Sequence, residues 1–170
     1  MGKYYIYNAK IEDVKYKNVT VIFNPDTNFN FSTLKNELTS YFRFHHQTAA
    51  LVFVHCKKLQ DIKSLVFENI DTIFKSIPKV EEASLRKNIF FAPYDGKSFD
   101  FKKKRFLEKN KKEILNQGLV EIFVRNGGLI ESNGISHHFV FPSGKHSTKF
   151  LRTANVLVSK SEIDFIAINT

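Results

Sequence analysis

Hydrophobic positions change their period several times along this chain, and each change marks an element. From Lys3 to Ile11 the side chains alternate, with Tyr4, Ile6 and Asn8 set against Tyr5 and Tyr7, the two-residue period of a strand. Val19 to Phe23 forms a second β-prone run, and Asn24-Pro25-Asp26 stops it. Leu34, Leu38, Tyr41 and Phe42 then recur at helical spacing, with Ser32 placed to cap the helix. Ala49 to His55 is continuously apolar, as expected of a strand covered on both faces. Leu59, Ile62, Val66, Ile70, Ile73 and Ile77 step by three or four residues, which predicts one helix ending before Pro78. Asn88 to Pro93 reads as a further strand. This β-β-α-β-α-β order predicts an α/β or α+β layer.

The pattern shifts at Asp95-Gly96-Lys97, which is taken as a boundary between a small α/β domain over 1–95, of unassigned role, and a second unit over 96–170. The second unit opens on a basic run. Between Lys97 and Lys112 there are eight basic residues and two acidic ones, Asp100 and Glu108, interrupted by Phe101, Phe106 and Leu107. Lys102, Lys103, Lys104, Arg105, Lys109, Lys111 and Lys112 are therefore candidates for contact with nucleic acid or an acidic partner. A solvated helix face explains the same run equally simply. Leu115, Leu119, Ile122, Phe123 and Ile130 mark another amphipathic helix, with Gly127-Gly128 as its stop. A strand from Ile135 to Phe141 leads into a polar turn, and a last helix is expected over Ser161 to Ala167, capped by Ser159 or Ser161.

Composition narrows the class. With 170 residues, 42% hydrophobic and 25% charged, the chain has a globular profile, and 18 Phe with no Trp supply most of its aromatic bulk. The single cysteine, Cys56, excludes an intrachain disulfide and fits a reducing, cytoplasmic setting. No apolar run approaches the roughly 18 residues that a membrane span needs, so no membrane association is expected. The net charge of +9 favours polyanionic partners without choosing among them.

The polar turn carries the densest chemistry. Pro142 suits the second position of a β-turn and Gly144 the fourth. Ser143, Gly144, Lys145, His146 and Ser147 follow one another, with Lys149 and Arg152 close behind. Successive backbone N–H groups, two hydroxyls and an ammonium can cradle a phosphate; an ordinary exposed hairpin is the alternative. A P-loop is excluded, because Phe139 stands where its first glycine should be and His146 where its Ser or Thr should follow the lysine. His45, His46, His55, His137, His138 and His146 lack metal-ligand spacing, and no metal site is expected in this stretch.

Leu119 to Ile130, followed by Phe139-Val-Phe-Pro-Ser-Gly-Lys-His-Ser-Thr-Lys-Phe150 and then Asn155 to Ile166, resembles the N-terminal segment of orotate phosphoribosyltransferases. That family runs from a helix through a glycine turn into Phe-x-Leu-x-Ser-Gly-x-x-Ser-x-x-Tyr/Phe and on to a helix. The resemblance covers residues 115–168. It implies a hood-like wall over phosphoribosyl pyrophosphate, with Ser143, Gly144 and Ser147 in the loop motif and Phe150 at the aromatic position. Where the family often has Lys before Ser-Gly this chain has Pro142, and Lys145 is the available substitute. The family's acidic ribose-binding loop finds no counterpart; Val80-Glu81-Glu82 is its nearest imitation. The resemblance thus implies the N-terminal part of a larger phosphoribosyltransferase-like protein, truncated or split, such as occur in bacterial conflict systems. The complete protein would bind a nucleotide-like ligand and use Mg²⁺, the stretch itself being inactive, with the remainder supplied by a longer polypeptide or a partner chain.

Overall fold

A computed structural model describes residues 3–26, 28–45, 47–55, 59–75, 77, 82–133, 138–156 and 158–169. Four strands form its central sheet. β1 (Tyr5–Lys10) pairs antiparallel with β2 (Asn18–Asn24), which pairs parallel with β3 (Ala50–His55), which pairs parallel with β4 (Ile89–Pro93). The strands lie side by side in chain order. All six residues of β3 are buried, so its unbroken apolar run reflects cover on both faces.

Helices supply that cover. α1 (Phe31–Phe42) connects β2 to β3, and α2 (Leu59–Glu68), α3 (Ile70–Lys75) and α4 (Glu82–Arg86) connect β3 to β4. Leu34, Leu38, Ile62, Val66 and Ile73 from these helices pack with Ile6, Ile22, Leu51 and Phe53 on one face of the sheet. Three later helices, α5 (Arg105–Lys109), α6 (Lys111–Arg125) and α7 (Lys160–Ile168), contribute Leu107, Ile114, Ile122 and Phe165 to the other face. There they meet Tyr5, Tyr7, Val21 and Phe23. The fold is mixed α/β, with seven helices among the described residues. Its second core joins residues on both sides of the boundary expected at 95–96.

Phe165 is the centre of that second core. Its ring lies 4.9 Å from Tyr5, 5.3 Å from Tyr7, 5.8 Å from Phe99 and 5.9 Å from Phe23, each edge-on or tilted. Such pairs add about 0.5–1.5 kcal/mol beyond area burial. The Tyr5 hydroxyl donates to the Gly118 carbonyl at 2.5 Å, which seats α6 directly on β1.

Several local expectations are corrected. α1 is capped by Asn30, whose side chain accepts the Thr33 N–H at 2.9 Å, because Asn30 and not Ser32 holds the extended backbone of a cap. The helix expected over 59–77 is two helices. At Asn69 the carbonyl accepts the N–H groups of Thr72 and Ile73 and starts α3, while the side chain donates to the Leu65 carbonyl at 2.8 Å. α6 stops at the expected glycines. Gly128 N–H bonds the Phe123 carbonyl, Gly127 N–H bonds that of Val124, and Gly127 takes a left-handed φ of 64°. Ile130 accordingly leaves the helix for β5 (Leu129–Glu131), which pairs with β8 (Lys149–Leu151). The strand expected from Ile135 is seen as β6 (Phe139–Val140), paired with β7 (His146–Ser147); residues 134–137 lie outside the described residues, as do His46, Cys56, Pro78, Val80 and Glu81. Among the described residues no helix is long and apolar enough to cross a membrane.

Candidate functional site

The hairpin between β6 and β7 is built as its local chemistry dictates. Gly144 N–H donates to the Phe141 carbonyl at 2.8 Å, closing a turn with Pro142 and Ser143 at its centre. Phe141 N–H donates to the Lys145 carbonyl at 2.9 Å, and Gly144 sits between them with φ 76°. This is a three-residue loop ending in a left-handed glycine, a common hairpin closure. Pro142, Ser143, Gly144, Lys145 and His146 all face solvent. The His146 ring lies 4.4 Å from that of His138 across the ladder.

The remaining residues of the expected cradle are distributed differently. The Ser147 hydroxyl accepts the Lys149 N–H at 3.1 Å and donates to the Lys149 carbonyl at 2.8 Å, so its one proton is used within the chain. The Lys149 ammonium pairs with Glu131 at 2.8 Å. Phe150 is half-buried against Phe139, with 5.4 Å between rings. Arg152 is exposed, and its backbone N–H donates to the Gly128 carbonyl at 2.6 Å. The hairpin therefore gathers Ser143, Gly144, Lys145 and His146 at its tip, while Lys149 and Phe150 lie on the separate β5–β8 ladder and Arg152 just after it.

The basic segment is less regular than a single helix. Lys102 and Lys103 occupy a turn, Lys104 precedes α5, and Lys109 and Lys111 lie on either side of the α5–α6 junction. Lys102, Lys103, Lys104, Arg105, Lys109 and Lys112 are exposed, and Lys111 is half-buried. The apolar interruptions are anchors. Phe101 and Leu107 are buried, and Phe106 packs 4.4 Å from Tyr16 and 5.0 Å from Phe90.

A cleft of about 500 Å³ beside β1 was not foreseen from the sequence. It lies between α1 and the ends of α6 and α7, with Glu37, Tyr41, His45, Arg125 and Glu162 in its walls. The Arg125 guanidinium donates to the Ile6 carbonyl at 2.9 Å and to Glu121 at 3.1 Å, and stands 3.8 Å from Glu162. Glu37 accepts the N–H groups of Lys3 and Tyr4. Burial raises the Glu37 carboxyl above its usual range and lifts the Tyr4 phenol to about 12. The same cause drives Tyr41 upward. Only the four-residue spacing of Glu121 and Arg125 hinted at this cluster. Glu37 holds the backbone just before β1 and Arg125 holds the Ile6 carbonyl within it, which makes the cluster a structural seal for that strand. No hairpin residue lines this cleft.

Comparison with protein families, with curated proteins and with solved structures gives no match. Among the described residues no group of three or more His, Cys, Asp or Glu is placed to hold a metal ion. The geometry thus offers two exposed cationic surfaces, the hairpin tip and the 102–112 segment.

Proposed function

We propose that the chain supplies the hairpin wall of a site for a phosphorylated ribose or nucleotide-like ligand, within a phosphoribosyltransferase-like protein. The observation that carries this reading is the Ser143-Gly144 turn. Its glycine is left-handed, and its Ser143, Lys145 and His146 side chains are open to solvent. Exposed backbone and an ammonium on one tight turn suit a phosphate better than a neutral group. The order α6, β5, hairpin, β8, α7 agrees with the resemblance in sequence. Phosphoribosyl pyrophosphate is the ligand of choice. Phosphoribosyl transfer, and the Mg²⁺ it requires, belong in this reading to the complete protein and its acidic loop.

A second reading is favoured by the exposure of six of the seven cations between Lys102 and Lys112. In it the segment binds duplex nucleic acid or an acidic partner through charge alone.

One titration separates the two. The ¹⁵N-labelled full chain is titrated with phosphoribosyl pyrophosphate and, separately, with a short DNA duplex. The first reading expects amide shifts centred on Ser143 to Ser147 and no turnover. It also expects roughly tenfold weaker binding for Lys145→Ala, the loss of one charge-assisted contact. Shifts that spare the hairpin remove it. The second expects shifts over 102–112 with the duplex that fade steeply as salt rises; duplex binding indifferent to salt removes that one.

A further inference from the structure

The carboxyl edge of the sheet holds a second, smaller cavity of about 210 Å³. Ala92 and Pro93, the last residues of β4, form one side, and Gln60 and Lys63 from the opening turns of α2 form another. The turn before α5 closes it with Asp100, Lys103 and Lys104.

We infer that this cavity, lined by Lys63, Lys103 and Lys104, binds the phosphoryl group of a small phosphomonoester. Charge decides the ligand class. Three lysines and one carboxylate, Asp100, line the cavity, and an Asp100 oxygen already accepts the Lys102 N–H at 3.0 Å. The excess of two positive charges matches a phosphomonoester, which carries about −1.5 to −2 at neutral pH; a carboxylate would leave the site half neutralised.

Size and wall chemistry limit the rest of the ligand. The volume is below the roughly 300–1,000 Å³ typical of sites that engulf a drug-sized molecule. A phosphoryl group with part of its organic body fits, whereas a dinucleotide does not. Phe91 and Phe101 give that body an apolar wall. Phe91 is held in place by stacking on Phe53 at 5.4 Å.

The site lies apart from the hairpin and does not depend on the preceding proposal. Its test uses inorganic phosphate, adenosine 5′-monophosphate and adenosine as probes of the ¹⁵N-labelled full chain. Phosphate and the monophosphate are expected to shift the amides of Gln60, Lys63, Ala92 and Lys103, the monophosphate at lower concentration, and adenosine to do so least. Lys63→Glu with Lys103→Glu should weaken the monophosphate at least tenfold, as read at the amides of Gln60 and Ala92. Both replaced lysines are exposed, and unchanged amide dispersion confirms the fold of the variant. The milder pair Lys63→Ala with Lys103→Ala should still weaken binding several-fold. Equal response to adenosine and its monophosphate, or shifts confined to the hairpin, would overturn the inference.

Discussion

At Gly118 a methyl group has nowhere to go. A Cβ there would lie 2.5 Å from the Phe165 ring and 2.7 Å from the Tyr7 ring, both fully buried. Glycine inside a helix ordinarily costs about 1 kcal/mol relative to alanine. Overpacking a filled core costs about 1–3 kcal/mol. The rings close the contact on the sheet side, and the second effect wins. Gly118→Ala is expected to lower stability by up to about 2 kcal/mol net, read as a lower urea midpoint with unchanged slope. A raised midpoint would mean that α6 slides on the sheet without loss.

At the scale of elements, the exposed edge of β1 is the feature that organises its neighbours. An edge strand offers unpaired backbone groups to any other chain. Here side chains occupy them. Gln117 accepts the Lys10 N–H at 2.7 Å and donates to the Lys10 carbonyl at 2.6 Å, mimicking a strand partner. Arg125 takes the Ile6 carbonyl and Glu37 the N–H groups of Lys3 and Tyr4. Replacing Gln117 and Arg125 together by Ala should speed amide exchange at Lys10 and promote self-association, measured by sedimentation velocity. A monomer with unchanged exchange at Lys10 would show that these contacts do not guard the edge. The strands themselves were legible in the sequence because period and punctuation agree locally: Asn24-Pro25 ends one run and Pro93 another. The split at Asn69 was not, because the apolar steps continue across it while one asparagine redirects the backbone.

At the scale of the molecule, the two halves of the chain share one core. The Tyr5–Gly118 hydrogen bond joins residues 113 positions apart, and periodicity carries no information about such a meeting. The hairpin was legible because Pro-Ser-Gly fixes its turn within a few residues. The cavity at the end of β4 was not, because Lys63 and Lys103 come together only when the sheet forms. A fragment ending at residue 95 keeps all four strands but loses α6 and α7, leaving Tyr5, Tyr7 and Phe23 uncovered. It is expected to show poor amide dispersion and to bind a hydrophobic dye. A well-dispersed spectrum from that fragment would refute a shared core. The position of Phe165 also sets a timetable for the nascent protein. The ribosome releases the first strand well before Phe165, the ring that covers it, with an interval of roughly 10–30 s at common elongation rates. Throughout that interval the growing polypeptide shows a wet aromatic face to whatever folding helpers surround the exit tunnel.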